Sequence, residues 1–272
     1  MREFIAAMAA AGIEPARPPL DLVDGQLVRF RAVGDKPGAR NAWAVYHSTP
    51  TPHGAYGSWR TGVSETWRAT ADRPYTAAER AELRRQERVQ RDLHRAEQER
   101  VHAAGRERAR RLWRTARPAT TEHPYLEAKG VAPYGIRRLR DMLVVPARDV
   151  DGVLHTLQFI GPDGGKRFLT GGRISGCYCA IGQPADALYL CEGFATGATV
   201  YAATAAAVAV CFSAGNLKPV ALALRAKFPE ARIVIAADND AGTAGNPGVR
   251  AACEAAAAVG ALVAVPDFSV VV

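Results

Sequence analysis

Four short apolar runs alternate with helix-forming segments in the last third of the chain, and this alternation limits the fold more than any other feature. The runs are ALYLC, AVAVCFS, ARIVIA and ALVAV, and the segments between them contain about a dozen helix-forming residues each. A continuous apolar strand needs cover on both faces, and a helix between successive strands lets them run parallel. The sequence therefore predicts an α/β fold over 184–272, namely a Rossmann-like parallel sheet with helices on both faces.

Three carboxylates follow two of these runs. Glu192 comes directly after ALYLC, and Asp238 and Asp240 follow ARIVIA with one residue between them. Ligands of open α/β sheets bind beyond the carboxyl ends of the strands, so the three side chains converge there if the two strands are neighbours. Two carboxylates ~5 Å apart repel by about 3 kcal/mol at an effective dielectric of ~20. A divalent cation would offset that repulsion, and an oxygen-only ligand set favours Mg²⁺ or Mn²⁺ over Zn²⁺.

Each of these acids alone also has an ordinary interpretation. Asp240 is either a ligand or a turn residue in NDAGTAGNPG, and Glu192 is either a ligand or a solvated residue of a strand-to-helix loop. The combination of Glu-Gly after one strand with Asp-x-Asp two strands later favours a metal site suited to phosphoryl transfer.

The segments LYLCEGFATGATV and IVIAADNDAG together resemble the Toprim domain. DnaG-type primases, type IA and II topoisomerases, OLD-type nucleases and recombination mediators share that domain. In the family the Glu and the Asp-x-Asp bind divalent metal, so the resemblance implies that Glu192, Asp238 and Asp240 are the metal-binding and catalytic residues. The family's Glu is also proposed to act as a general acid or base in strand transfer.

The stretch before these motifs narrows the resemblance to primases. HPYLEAKGV predicts a short helix ending at Gly130, and MLVVPARDVDGVLHTLQFIGPDGGKRFLTGG predicts three strands joined by an Asp-Gly hairpin and a Gly-rich turn. Both segments are similar to the part of bacterial primases that precedes the Toprim domain, which implies a small α+β subdomain at 119–183. The whole layout is closest to the Toprim primases of plasmids and phages, including TraC-like conjugative primases.

Basic and polar side chains near these motifs are candidates for nucleotide or template binding. Lys166 and Arg167 follow a Gly-rich turn, and Arg173 comes shortly after them. In primases, basic side chains near this turn are thought to hold the template or the triphosphate; ordinary surface charge is the alternative here. Ser213 and Asn216 follow the second apolar run, where they either position a nucleotide or cap the next helix.

Residues 1–70 predict a β-rich module after an N-terminal helix. The strand candidates are QLVRFRAV, NAWAVYHS, YGSWR and ETWRA, separated by turns such as GDKPG and TPHGAYG. The aromatic residues of the module form either a small β core or a surface on which bases stack; they are Trp43, Tyr46, Tyr56, Trp59 and Trp67. Plasmid and phage primases carry a similar module with a GxWRxG motif, which is YGSWRTG in this chain.

Residues 71–118 predict one long basic helix, with Thr76 as its cap and Gly105 as the point where it would break. Between 71 and 117 there are 14 arginines and 8 carboxylates, so this segment carries most of the net charge of +8. Its arginines are either a solvated face or a strip that follows phosphates. The candidates for contact with the DNA backbone are Arg84, Arg88, Arg91 and Arg95.

Composition and motifs argue against several other classes. No apolar run reaches the ~18 residues of a membrane span, so no membrane partner is expected. The five cysteines lack zinc-ligand spacing, which predicts reduced thiols in a cytoplasmic protein and no zinc site. The turn after ALYLC lacks the G-x-G-x-x-G of dinucleotide-binding enzymes, and no helicase P-loop occurs. The acidic motif that related primases carry after the last strand is represented at most by Asp267.

The favoured function is that of a primase in plasmid or phage replication. Such a protein copies single-stranded DNA into short RNA primers from NTPs, using Mg²⁺ or Mn²⁺, with a separately encoded helicase as an optional partner. Two alternatives stay open: a metal-dependent nuclease on the same scaffold, and a non-catalytic DNA-binding accessory protein.

Overall fold

The computed structural model describes residues 1–48, 51–69, 77–240, 242–243 and 245–266. Within the long helix it leaves out the side chains at 78, 79, 82, 83, 86, 87, 90 and 94. The predicted cap at Thr76 and the acidic residue Asp267 therefore lie outside the described residues. The chain forms two compact units, Met1–Leu93 and His94–Val272.

The first unit contains the expected helix and antiparallel sheet. Helix α1 (Arg2–Ala10) is followed by strands β1 (Val28–Phe30), β2 (Ala42–His47), β3 (His53–Ser58) and β4 (Val63–Arg68). The strands pair in the order β1-β2-β3-β4, each antiparallel to its neighbour. Phe4 of α1 packs against the rings of Tyr46, Tyr56 and Trp67, so the inner face of this sheet is a small aromatic core.

The turn predicted at TPHGAYG is wrong, because most of that segment forms β3. Two glycines that suggest a turn are needed here for close packing inside a sheet. A Cβ on Gly54 would lie 2.6 Å from the ring of Phe4, and a Cβ on Gly57 would lie 2.7 Å from the ring of Trp43. The chain instead turns just after β3, at residues 59–62.

Helix α2 (Ala77–Thr115) is continuous over 39 residues and, at 1.5 Å per residue, roughly 60 Å long. The break considered near Gly105 is absent from it. A Cβ on Gly105 would lie 2.4 Å from the carbonyl oxygen of Gly171, so the glycine lets the helix touch the chain at 171–172.

The second unit continues with the predicted antiparallel subdomain. After β5 (Arg117–Pro118) come α3 (Pro124–Lys129), β6 (Arg137–Leu139), β7 (Met142–Arg148), β8 (Leu154–Ile160) and β9 (Lys166–Phe168). These five strands form one antiparallel sheet in the order β5-β6-β7-β8-β9. Helix α3 ends at Gly130 in the left-handed conformation, as its sequence predicts.

The last part of the chain is the predicted alternation of strands and helices. It consists of β10 (Cys179–Ile181), β11 (Ala187–Cys191), α4 (Phe194–Thr204), β12 (Ala207–Val210), α5 (Ala214–Lys227), β13 (Arg232–Ala236), α6 (Pro247–Val259) and β14 (Leu262–Ala264). The sheet order is β10-β12-β11-β13-β14, and β12, β11, β13 and β14 run parallel. The α/β fold with a parallel sheet is therefore confirmed.

Both faces of the parallel sheet are covered. Leu188 and Leu190 of β11 face α5 and α6, whereas Cys191 packs with Phe194 of α4 and with Leu143 of the antiparallel subdomain. The alternating burial follows from the two-residue repeat of a strand. Because both faces are covered, the strands of this sheet have continuous apolar sequences.

One strand of this sheet was not foreseen. Strand β10 pairs antiparallel with β12, and the predicted domain boundary at 183/184 separates it from the sheet to which it is hydrogen-bonded. Its sequence, Cys-Ala-Ile, is three residues long and directly follows a turn, so it carries little strand signal of its own.

Among the described residues, no helix is both long and apolar enough to cross a membrane.

Candidate active site

The two strands that precede the acidic residues are neighbours. Leu190 of β11 lies opposite Ile235 of β13 in the parallel register. Glu192 follows β11 immediately, and Asp238 lies two residues beyond the end of β13. Both chain segments thus deliver a carboxylate at the carboxyl edge of the sheet, as the sequence predicts for adjacent strands.

The environment of Glu192 raises its pKa. Burial is the main cause, and the negative charges of Asp238 and Asp240 add to it, while a hydrogen bond from the backbone N–H of Ala214 opposes it. Ala214 is the first residue of α5, so the carboxylate lies at the start of that helix. Among the described residues, its buried Oε1 has no hydrogen-bond partner.

Asp238 has the same kind of environment and one cation near it. Its pKa is raised by burial and by the charge of Asp240, and the ammonium group of Lys166 opposes that rise. The Nζ of Lys166 also lies 3.9 Å from where a Cβ on Gly193 would be, so this lysine reaches the turn after Glu192. The cluster therefore joins three carboxylates and one ammonium group.

The loop between β13 and α6 is held by its own polar groups. Asn246 accepts a hydrogen bond from the backbone N–H of Asp240 at 3.0 Å and donates one to Asn239 at 2.9 Å. A Cβ on Gly248 would lie 2.4 Å from the carbonyl oxygen of Asp238. The start of α6 thus packs directly on the Asp-x-Asp segment and fixes its backbone.

The carboxylate oxygens of the acidic edge suit a hard divalent cation, although they do not form a complete coordination shell. Carboxylate oxygens are the ligands that Mg²⁺ and Mn²⁺ prefer, and the unpartnered Oε1 of Glu192 is a buried polar atom that such an ion would satisfy. Within the described ranges, however, no three His, Cys, Asp or Glu side chains lie close enough together to hold a metal ion by themselves.

Strand β9 brings only one of its two basic residues towards this edge. Phe168, on the same side of the strand as Lys166, contacts the ring of Phe212 beyond β12, with the ring centroids 5.4 Å apart. Arg167 alternates to the other side, where its guanidinium lies 5.8 Å from the ring centroid of Phe159. The two-residue repeat therefore separates two residues that are adjacent in the sequence.

Arg173 is engaged in a polar cluster of the antiparallel subdomain. Its Nη2 donates to Oδ2 of Asp149 at 3.1 Å and lies 2.7 Å from Nε2 of His155. Nε2 of His155 in turn lies 2.6 Å from the same carboxylate oxygen. These contacts hold the loop after β9 against the β7–β8 hairpin.

The two polar residues after β12 differ completely in their surroundings. Ser213 is exposed at the N-cap of α5 and its side chain makes no capping hydrogen bond. Asn216 is buried; its amide accepts from the backbone N–H of Gly176 and donates to the carbonyl oxygens of Cys177 and Cys211, each at 2.8 Å. Asn216 thus joins the segment before β10 to the end of β12.

The four candidate arginines of α2 all have exposed side chains. Their spacing of four, three and four residues puts Arg84, Arg88, Arg91 and Arg95 along one side of the helix.

The four cysteines of the α/β region other than Cys253 are buried, and burial raises the pKa of Cys177 to about 11 and that of Cys179 to about 12.

Sequence reasoning missed several residues that shape this edge. Phe212 has a φ of +73°, an uncommon conformation for a residue other than glycine, and its ring meets Phe168. Nothing in CFSAGN signals that conformation. Asn246 had a signal, because Asn before Pro at a predicted helix start is a typical loop-to-helix residue.

Comparison with known proteins identifies the parallel-sheet region. Residues 187–267 match the model of the Toprim domain. DNA primase TraC of Escherichia coli is 37% identical over 260 residues, which are 91% of this chain and 24% of that protein. A second Escherichia coli DNA primase TraC is 33% identical over 282 residues, covering 98% of this chain and 19% of the relative. The chain thus spans about a quarter or less of these relatives.

A distant structural likeness was also found. The similarity to the primase fragment of the bacteriophage T7 primase-helicase protein covers 57% of this chain and 66% of that fragment, at 16% identity and a TM-score of 0.42. The sequence matches are far stronger. They confirm the resemblance that the motifs suggested: residues 187–267 match the Toprim domain, and most of the chain is similar in sequence to DNA primase TraC.

Proposed function

We propose that this chain carries the catalytic centre of a primase that makes short RNA primers on single-stranded DNA. The observation that carries the proposal is the acidic edge, where burial and neighbouring carboxylates raise the pKa values of Glu192 and Asp238. Among the described residues, the buried Oε1 of Glu192 has no hydrogen-bond partner. Three converging carboxylates, two of them partly buried, destabilise the fold unless a cation accompanies them. The similarity to DNA primase TraC supplies the reaction.

In this proposal Glu192, Asp238 and Asp240 would hold Mg²⁺ or Mn²⁺ together with phosphate oxygens of the substrate, since the described carboxylates do not form a closed ligand group by themselves. When bound, a divalent ion lowers the pKa of a primer 3′-hydroxyl and neutralises charge on the departing pyrophosphate. The 3′-oxygen attacks the α-phosphorus of an NTP, the bond to the β-phosphate bridging oxygen breaks, and Glu192 accepts the hydroxyl proton.

Lys166 is the residue we assign to the triphosphate. Its exposed ammonium group is electrostatically coupled to Asp238 and reaches the turn after Glu192. A lysine at that position binds phosphate oxygens as a point charge. Arg167 and Arg173 have other neighbours, so we assign them to the template side or to the support of the loop rather than to the triphosphate.

The test is primer synthesis from labelled NTPs on single-stranded DNA in Mg²⁺ or Mn²⁺. Asp238→Asn should reduce RNA products about 100-fold or more, because it removes a negative ligand. Asp186→Asn is the matched control, since Asp186 is exposed and precedes β11 at the opposite end of the strand. Unchanged synthesis in Asp238→Asn would refute the site, and DNA shortening without NTPs would indicate a nuclease.

Thermal unfolding tests whether the acidic edge binds a divalent ion, which the proposed enzyme requires and a non-catalytic accessory protein does not. Mg²⁺ should raise the Tm of the wild-type chain and leave that of Asp238→Asn almost unchanged, because a ligand stabilises only the state that binds it. In EDTA the variant should melt about 2–4 °C higher, since relief of charge repulsion is on the order of 1 kcal/mol. Equal Mg²⁺ responses would favour a non-catalytic role.

A further inference from the structure

The outer face of the β1–β4 sheet carries aromatic and basic side chains that the acidic edge does not use. Trp43 of β2 and Trp59, just after β3, have ring centroids 6.1 Å apart. Trp59 is 55% exposed, which is unusual for the largest apolar side chain. Within this unit α1 fills the inner face of the sheet, so these two indoles lie on the opposite face.

The ring of Trp43 is held against strand β3. Gly57 lies across from Trp43 in the β2–β3 register, and a Cβ there would come 2.7 Å from the indole ring. The absence of a side chain lets the ring of Trp43 lie against β3. A ring fixed in this way loses little conformational entropy when a ligand packs on it.

Arg29 adjoins the indole pair and also belongs to a group of four arginines. The guanidinium carbon of Arg29 lies 4.7 Å from the ring centroid of Trp59. Arg29 also lines a depression of about 400 Å³ together with Arg17, Arg31 and Arg40, and no carboxylate belongs to its lining. All four arginines are exposed, and the ion pairs found among the described residues include none of them.

We infer that this face binds single-stranded DNA, with an unpaired base stacked on Trp59 and phosphates held in the four-arginine depression. Indole rings beside an arginine-lined depression match the two chemical parts of a single strand, an exposed base and a phosphate. A base inside a duplex has both of its faces covered by neighbours and cannot stack on an indole. The positive charge of the depression is complementary to a polyanion and not to a neutral surface.

The proposed DNA-binding site does not extend along the whole sheet. At the other end of β2, His47 stacks on His53 with the ring centroids 4.8 Å apart. The carboxylate of Asp24 interacts electrostatically with both histidines. A negative charge there would repel phosphate, so the proposed site is confined to the end with Trp43, Trp59 and Arg29.

The site depends on the proposed function only for its choice of ligand, so its test avoids the catalytic reaction. Binding of the full chain to a fluorescent oligothymidylate of about 12 nucleotides is measured by anisotropy in EDTA, without NTPs. Trp59→Ala should weaken binding roughly tenfold, and Trp59→Phe should retain most of the affinity because an aromatic ring remains. Val23→Ala is the control, as Val23 is exposed to a similar extent, 50%, in the same unit.

Two further measurements separate stacking from charge. On an abasic strand of the same length, Trp59→Ala should bind as the wild type does. The double variant Arg31→Gln/Arg40→Gln should lower the slope of log affinity against log salt by roughly 1.4, whereas Arg2→Gln/Lys129→Gln should not.

Several outcomes would overturn the site. They are equal binding by Trp59→Ala and Val23→Ala, an equal loss on abasic DNA, and tighter binding of wild-type protein to duplex DNA or to RNA. Asp238→Asn should bind the oligonucleotide normally in EDTA. A chain that binds DNA in this way but makes no primers would refute the proposed function and leave this site intact.

Discussion

At the scale of single residues, hydrogen-bond partners distinguish the buried polar residues that support the fold from those that are candidates for catalysis. Asn216 was a candidate for nucleotide binding, but three backbone groups occupy its amide. Glu192 has an unpartnered Oε1 among the described residues. A buried amide that donates both N–H groups to backbone carbonyls is committed to the fold, whereas an unpaired carboxylate oxygen is costly without a ligand.

We therefore expect Asn216→Ala to destabilise the fold. The change leaves the N–H of Gly176 and the carbonyl oxygens of Cys177 and Cys211 without their partner, which costs about 2–4 kcal/mol of unfolding free energy. Urea denaturation measures the loss. Ser213→Ala, three residues earlier, should change stability by less than about 0.5 kcal/mol, because its side chain makes no capping bond. Similar losses in both variants would contradict this assignment.

At the scale of elements, two helical glycines should respond in opposite ways to the same substitution. Ala normally stabilises a helix by up to about 1 kcal/mol relative to Gly. Gly215 of α5 has nothing within 4 Å of an added Cβ, so Gly215→Ala should stabilise the protein. Gly105→Ala should destabilise it, because the new Cβ would lie 2.4 Å from the carbonyl oxygen of Gly171.

Differential scanning calorimetry of the two glycine variants checks this prediction. The Tm should rise for Gly215→Ala and fall for Gly105→Ala. A rise in both would mean that α2 does not need its close approach to residues 171–172.

The arginine stripe of α2 makes a separate prediction about DNA affinity. Replacement of Arg84, Arg88, Arg91 and Arg95 by Gln should lower the slope of log affinity against log salt by about 0.7 for each phosphate that the helix no longer neutralises. The measurement is a salt titration of single-strand binding. Arg100 lies on the same helix outside this stripe, so Arg100→Gln serves as the control. An unchanged slope in the fourfold variant would make α2 a spacer.

The strands that the sequence predicted best are those that are buried on both faces of the sheet. ALYLC and ARIVIA are apolar on both faces because helices cover both, so their pattern is readable without knowing the tertiary structure. Strand β10 pairs at an edge through three residues, and β3 contains glycines that fit two rings. Those features depend on residues distant in sequence, so local pattern could not reveal them.

The candidate site shows the same division. Adjacent parallel strands made the convergence of Glu192 and Asp238 predictable. The approach of Lys166 to the acidic edge depends on how the antiparallel subdomain packs on the parallel sheet. The sequence alone did not determine which side of β9 carries Lys166, because that follows from the register of β8 and β9. The contacts of Arg173 arise from the β7–β8 hairpin, which the sequence placed but whose side chains it could not pair.

At the scale of the whole molecule, acid stability combines groups with opposite signs. Burial raises the pKa values of Glu192 and Asp238, so those carboxyls favour the folded state as the pH falls. Asp149 has a lowered pKa: burial would raise it, but hydrogen bonds from His155 and from the backbone prevail. Its contribution to stability is present above its unfolded pKa and is lost as the pH falls through the folded value.

His155 should set the first step of acid destabilisation. Its pKa is lowered mainly by burial, with the charge of Arg173 adding to the effect and the carboxylate of Asp149 opposing it. Since the unfolded chain then binds a proton more readily than the folded one, stability should fall as the pH drops below about 6.5, by at most about 1.4 kcal/mol per pH unit. His155→Gln keeps a donor for Asp149 but does not titrate, so urea midpoints between pH 7 and about 5 should fall less steeply for the variant than for the wild type. Parallel curves would mean that this buried histidine is not the group through which acid first weakens the fold.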